Sequence, residues 1–173
     1  NETDGVAIPP TPVVGGVGLI EDVTKIATLH GAQAGDALYL IGETHAHLGA
    51  SLYAREWLGL KGEDLGPPPP VDLPLEKKNA DTVRGVVEKG LANAVHDVSD
   101  GGIACATAEM ALSSNLMTRV LASSDTALGA LFGETQARFL LAVPADKAAA
   151  FTAHCETAGV VHQQVGDFAA RKK

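Results

Sequence analysis

The chain has 173 residues, 46% of them hydrophobic but only 4% aromatic, and a formal net charge of −8. Its Lys and Arg residues are scattered, which argues against nucleic-acid or membrane-surface binding, where basic residues cluster. No apolar run approaches the roughly 20 residues that span a bilayer. A core so poor in aromatics must be built from Ala, Val, Leu and Ile, the composition of helices layered on a sheet.

A chain of this length buries most of its unfolded surface, so no disulfide is required. Cys105 and Cys155 lie in apolar helical patterns and do not form a CxxC pair. With no secretory leader pattern at the start, two isolated thiols fit a reducing, cytoplasmic setting. The chain opens at Asn1 without Met and is expected to be a piece of something longer.

In chain order, the glycine- and proline-rich stretch around PPTPVVGGVG predicts a short strand near Val13–Val14 running into a glycine turn. Ala37 to Ile41 follows the turn signal Gly35-Asp36 and reads as a strand buried on both faces, closed by Gly42. Leu52, Trp57 and Leu58 suggest a helix over 50–58, ended by Gly59. Pro67 to Pro70 must be an extended connection. The clearest helix follows, with Asp72 as cap, Pro74 in the first turn, Leu75, Val83, Val86, Val87 and Leu91 on one face, and Gly90 at its end.

Ala94-Val95 starts a short strand leading into His96-Asp97, and a second helix begins near Asp100 with Ile103, Ala106, Met110 and Ala111 inward. A short strand near Val120–Leu121 and a helical turn to Phe132 come next. Phe139 to Val143 is a buried strand, and Pro144 opens a helix with Ala148, Phe151, Cys155 and Ala158 inward. Gly159 stops that helix, and Val160 to Val165 is the last strand. Alternating helices and strands from residue 37 onward imply a helix-covered sheet.

Three segments can carry chemistry. His96-Asp97-Val98-Ser99-Asp100-Gly101-Gly102 lies between a strand and a helix. Its glycines permit close backbone approach, its helix start offers N–H groups to an anion, and Asp97 and Asp100 could ligate a phosphate-bound Mg²⁺. The plainer reading is that Ser99 or Asp100 caps the helix and the glycines serve packing.

Gly42-Glu43-Thr44-His45-Ala46-His47-Leu48-Gly49-Ala50-Ser51 again joins a strand to a helix. His45 and His47, with Glu43, fall short of a metal set, and a loop that meets a phosphate or another domain is the better reading. Glu134, Gln136 and Arg138 stand where the chain enters a buried strand, either to bond a ligand or to satisfy backbone. Gly15, Gly16 and Gly18 lack both the dinucleotide fingerprint and a Walker lysine. His30, His154 and His162 have no motif around them, and no catalytic triad can be argued from linear spacing.

Taken together, and in order, these segments resemble the phosphoribosylformylglycinamidine synthase family, in the C-terminal part of its synthetase subunit. The resemblance rests on Asn1-Glu2-Thr3, Pro10-Thr11-Pro12, Gly15 to Gly18, Gly42 to Ser51 and His96 to Gly102, with Ala46 where the family has glycine. It implies an α+β fold in α/β/α layers, partly ferredoxin-like: the C-terminal subdomain of the aminoimidazole ribonucleotide synthetase-like superfamily. Residues 1–29 would be the tail of a preceding N-terminal-type subdomain and 30–173 the C-terminal-type subdomain.

The parent would be an ATP- and Mg²⁺-dependent carbon–nitrogen ligase of purine biosynthesis. It would activate the formamide oxygen of formylglycinamide ribonucleotide as an iminophosphate, which ammonia from a glutaminase partner attacks. Partners implied are the other half of the synthetase chain, a glutaminase subunit and a small accessory subunit. The family's catalytic histidine and most nucleotide and Mg²⁺ ligands lie outside this stretch, so no catalytic residue is expected here and the piece alone should be inactive. Implied nucleotide- or phosphate-binding positions are His96, Asp97, Ser99, Asp100, Gly101, Gly102, Gly15, Gly16, Gly18, Glu134 and Gln136. The alternatives are a non-catalytic nucleotide-binding or interaction domain and a sister enzyme of the same superfamily.

Overall fold

A computed structural model describes residues 2–7, 14–121 and 127–171. It begins with a small hairpin, β1 (Glu2–Thr3) against β2 (Val6–Ala7). Asp4 and Gly5 both turn with positive φ, 53° and 76°, the geometry that matches the twist of a two-residue antiparallel loop. Pro10-Thr11-Pro12 and Val13 lie outside the described residues, and the expected strand is absent from Val14 onward, where the chain runs without regular structure to a 3₁₀ turn at Val23–Lys25.

The body is a five-stranded, wholly antiparallel sheet. Its strands are β3 (Ala37–Ile41), β4 (Ala94–Asp97), β5 (Leu116–Val120), β6 (Phe139–Val143) and β7 (His162–Ala170), in the order β4-β6-β3-β7-β5. β7 runs further than Val165 because β5 continues the ladder along it, pairing Leu116 with Ala170.

Strand alternation sorts the core into two layers. Leu38, Leu40, Leu140, Ala142, Val165 and Phe168 face helix α2 (Gly102–Ser113), whose Ile103, Ala106, Met110 and Ala111 form the expected inner stripe. Tyr39, Ile41, Leu141 and Val143 face α1 (Leu73–Glu88) and α4 (Ala148–Ala158) through Val83, Val86, Phe151 and Cys155. The result is the α/β/α layering of an α+β domain, with β3 buried on both faces as its apolar run required.

Helix ends follow local chemistry. The Asp72 side chain accepts the Leu75 N–H at 3.0 Å and Pro74 sits in the first turn. At the other end the Gly90 N–H donates to Val87 O and the Leu91 N–H to Val86 O, with Gly90 at φ +61°. Gly159 and Val160 close α4 the same way on Glu156 and Cys155. Both ends are thus the glycine-terminated pair of bonds that satisfies a helix's last carbonyls. The helix expected over 50–58 is a wide turn, Tyr53–Trp57, with the Leu58 N–H bonded to Tyr53 O.

Cys155 is wholly buried, and burial pushes its thiol up to about 11. At pH 8 the folded chain should therefore show reactivity at Cys105 at most, Cys155 reacting with a chromogenic disulfide only after denaturant is added. Two thiols titrating in native buffer would contradict this packing. The sign for stability follows from a thiol raised in the folded state. Its contribution is complete below the ordinary value of 9.0 and is lost as pH climbs through about 11.

Candidate functional site

The sheet order brings the sequence motifs together. β6 lies between β3 and β4 and runs antiparallel to both, so Ile41 and Asp97 are both paired with Phe139. The loop leaving β3, the turn leaving β4 and the segment entering β6 therefore meet at one end of the sheet. The start of β7 joins them there, since His162 pairs with Ile41.

Three side chains of the 133–138 segment tie the motifs together. One oxygen of Glu134, Oε1, accepts the Leu52 N–H and the Gly101 N–H, each at 2.8 Å. The Thr135 hydroxyl donates to His45 O at 3.1 Å and accepts the His45 N–H at 3.4 Å. Arg138, only 2% exposed, donates from Nε to Thr135 O (2.8 Å), from Nη2 to Gly133 O (2.6 Å) and from Nη1 to Thr44 Oγ1 (3.1 Å). Burial lowers the Arg138 guanidinium to about 10, with Glu134 pulling it back up, so the group is charged at neutral pH. Beside it, Asn79 of α1 donates to Ala137 O at 2.8 Å, holding that residue at φ +60°.

The 96–102 turn is built differently from the local expectation. Neither Ser99 nor Asp100 caps α2. The N-cap residue is Gly101, whose φ is +74°, and the distant Glu134 carboxylate takes its N–H. Gly102 turns at φ +66°, and a Cβ there would lie 2.6 Å from Gly133 O. A Cβ on Gly101 would run into the Cys105 side chain. The closeness these glycines allow is to the protein's own atoms, which favours the packing reading for them. His96 is turned toward α2, with Nε2 2.8 Å from Glu109 Oε2 and Nδ1 3.2 Å from Asp97 Oδ1. Asp97, Ser99 and Asp100 are exposed.

In the first loop, His47 Nε2 donates to Pro67 O at 2.9 Å and so pins the proline run, while His45 lies 3.7 Å from Glu43. Ala46 abuts Gly129 of the short helix α3 (Ala127–Phe132), where a Cβ would come within 2.6 Å of it. Among the described residues no three His, Cys, Asp or Glu side chains gather to hold a metal. Gln136 is exposed, its amide donating to Glu134 O at 3.2 Å. Gly15, Gly16 and Gly18 are not drawn into this cluster of contacts: a Cβ on any of them would meet nothing within 4 Å.

Two clefts flank the cluster. One, about 420 Å³, runs along the backbone of Gly42 to Ala46 and is closed by Gln163, Gln164 and the apolar side chains of Ile103 and Leu131. The other, about 450 Å³ and almost wholly apolar, lies between Tyr53, Trp57, Leu128 and Phe132 over Gly101 and Cys105. The sequence left Glu134 and Arg138 open between bonding a ligand and satisfying backbone, and both bond backbone groups here, whereas the tie made by Thr135 and the Glu109 partner of His96 were not assigned. The one signal available was a lone arginine directly before an unbroken apolar strand.

The sheet, its two helical layers and this motif cluster define a class: the chain belongs to the AIR synthase related protein family, matching its C-terminal domain over residues 33–173. Within that class it is similar to phosphoribosylformylglycinamidine synthase subunit PurL. It is 50% identical to the Bradyrhizobium diazoefficiens protein over 150 residues, which is 86% of this chain and 20% of that protein. It is 52% identical to the Caulobacter vibrioides protein over 145 residues, 83% of this chain and 19% of that one. The chain thus spans about one-fifth of the length of these curated relatives.

Solved structures share the fold. Thermotoga maritima PurL complexed with FGAR has a TM-score of 0.69 at 20% identity, covering 86% of this chain and 26% of that one. Escherichia coli HypE has a TM-score of 0.57 at 24% identity, covering 84% and 47%. Among the described residues no helix is long and apolar enough to cross a membrane.

Proposed function

We propose that this chain forms the C-terminal-type subdomain of a phosphoribosylformylglycinamidine synthase. That ATP-dependent ligase converts formylglycinamide ribonucleotide and glutamine-derived ammonia to formylglycinamidine ribonucleotide. The observation that carries the reading is the gathering of the Gly42–Ser51, His96–Gly102 and Glu134–Gln136 motifs at one sheet end by Ile41 and Asp97 flanking Phe139. Identity near one-half to PurL subunits supports this enzyme over sister enzymes that share only the fold.

The ligand-facing groups in this reading are Asp97, Ser99, Asp100 and Gln136, exposed around the buried Gly101-Gly102 turn. Their task in this reading is positioning and charge placement, with the catalytic histidine allotted to the rest of the parent chain. ATP would provide the phosphoryl group that activates the formamide oxygen, and solved T. maritima PurL complexes with ATP and ADP support a nucleotide for this family. Mg²⁺ is not caged by the described side chains, so it would be held largely by phosphates and by residues of the remaining chain.

We place a subdomain boundary near Leu29. Val14, Val17, Leu19 and Ile20 before it are strongly exposed, while Ala32 after it enters the core. Partners would be the other half of the synthetase chain, a glutaminase subunit and a small accessory subunit, in the cytoplasm. A solved assembly described as PurLQS from T. maritima supports a multi-subunit enzyme.

The test is phosphate release by the full-length parent with formylglycinamide ribonucleotide, MgATP and ammonia, beside this chain alone. Substrate-dependent turnover by the parent and none by the chain is expected. A parent indifferent to this substrate rejects the enzyme assignment, and turnover by the chain alone rejects the allotment of catalysis elsewhere.

A further inference from the structure

We propose that Glu134 is a positioning residue for the two ligand-facing turns and not itself a ligand contact; this rests on the functional reading above. Its Oε1 accepts two backbone N–H groups, those of Leu52 and Gly101, both at 2.8 Å. The donors open two different helical segments, one leaving the Gly42–Ser51 loop and one leaving the His96–Gly102 turn. A single acceptor shared by both sets their separation, which no bond within either segment does.

The need for such a restraint is visible in the turn itself. Gly101 and Gly102 both have positive φ, and two consecutive glycines leave the backbone free to depart from that geometry. Ser99 and Asp100 provide no side-chain cap, so the N-terminus of α2 depends on the carboxylate brought from the strand β6 entrance. Glu134 is in turn held on a segment that Thr135 and Arg138 bind to the first loop. This oxygen adds a direct side-chain tie between the end of the Gly42–Ser51 loop and the His96–Gly102 turn, beyond the pairing of Ile41 and Asp97 with Phe139 and the Val98 N–H to Arg138 O bond at 3.0 Å.

The chemistry separates positioning from contact. Glutamine keeps an oxygen at the same reach and can accept both N–H groups, aspartate is a methylene short, and alanine accepts neither. A carboxylate needed for its charge by a ligand would be lost equally in glutamine and alanine.

The experiment measures phosphate release by the full-length enzyme carrying E134Q, E134D or E134A, together with amide hydrogen exchange of the peptides containing Leu52 and Gly101. E134Q is expected to stay within about threefold of wild-type kcat/KM, while E134D and E134A lose roughly tenfold or more. Exchange at the two peptides should quicken in E134A and E134D and not in E134Q. E134Q as impaired as E134A, with protection at both peptides kept, would overturn the proposal in favour of direct ligand contact. E134A with wild-type activity and exchange would overturn it outright. If the wild-type enzyme ignores formylglycinamide ribonucleotide, the functional assignment fails. The exchange comparison then decides the clasp alone, and unchanged exchange in E134A rejects it.

Discussion

Replacing Arg138 by alanine is expected to lower the unfolding free energy by about 3–5 kcal/mol, the sum of buried acceptors left unsatisfied and the cavity left behind. The guanidinium is 2% exposed, and its three donors satisfy Thr135 O, Gly133 O and the Thr44 hydroxyl. Alanine would leave two carbonyls and a hydroxyl without that partner inside the protein and a cavity where the side chain was. Lysine is not a substitute, because one ammonium cannot reproduce three donors spread over a planar fork. Arg138→Lys should therefore recover only part of the loss. Urea denaturation of the two variants followed by far-ultraviolet circular dichroism measures both effects. Stability of R138A within 1 kcal/mol of wild type (about fivefold in the folding equilibrium) would show that the network is dispensable.

The loss should also be local before it is global. Thr44 and Gly133 belong to the two segments that Arg138 joins, so their amides are expected to exchange faster even under conditions where R138A remains folded.

The second large effect belongs to glycines at the same sheet end. Gly42→Ala and Gly102→Ala are each expected to cost about 2–5 kcal/mol, summing backbone strain with overpacking. Gly42 has φ +101° and an added Cβ would lie 2.5 Å from Ala137 O. Gly102 has φ +66° and its Cβ would face Gly133 O at 2.6 Å and Leu131 O at 2.7 Å. The clashing atoms are backbone on both sides, so no rotamer change relieves them. Gly15→Ala is the natural control, since its Cβ would meet nothing within 4 Å. Thermal melting of the three variants should show two large drops and one negligible change. Equal behaviour of all three would contradict the close packing of the motif turns.

Much of the architecture was legible in the linear pattern. The run Ala37 to Ile41 and the run Phe139 to Val143 are strands because buried antiparallel positions demand unbroken apolar residues. Helix α1 announced itself through Asp72, Pro74 and Gly90, and α4 through its inward Phe151 and Cys155 and its terminal Gly159. Asp4-Gly5 was an equally readable hairpin signal that the apolar-run reading passed over. The motif order carried the resemblance that the family match later supported.

By itself, then, the sequence determined which segments become helix or strand, where most of them stop, and which short motifs stand out, because those properties depend on neighbours within a few residues. Only the tertiary structure decided that β6 lies between β3 and β4, and hence that three separated motifs share one end of the sheet. The same holds for the cap of α2. Local rules offered Ser99 and Asp100, yet the carboxylate of Glu134 takes the Gly101 N–H. Strand pairing and a distant cap depend on which parts of the chain are brought together, and local preference along the chain contains no information about that closure.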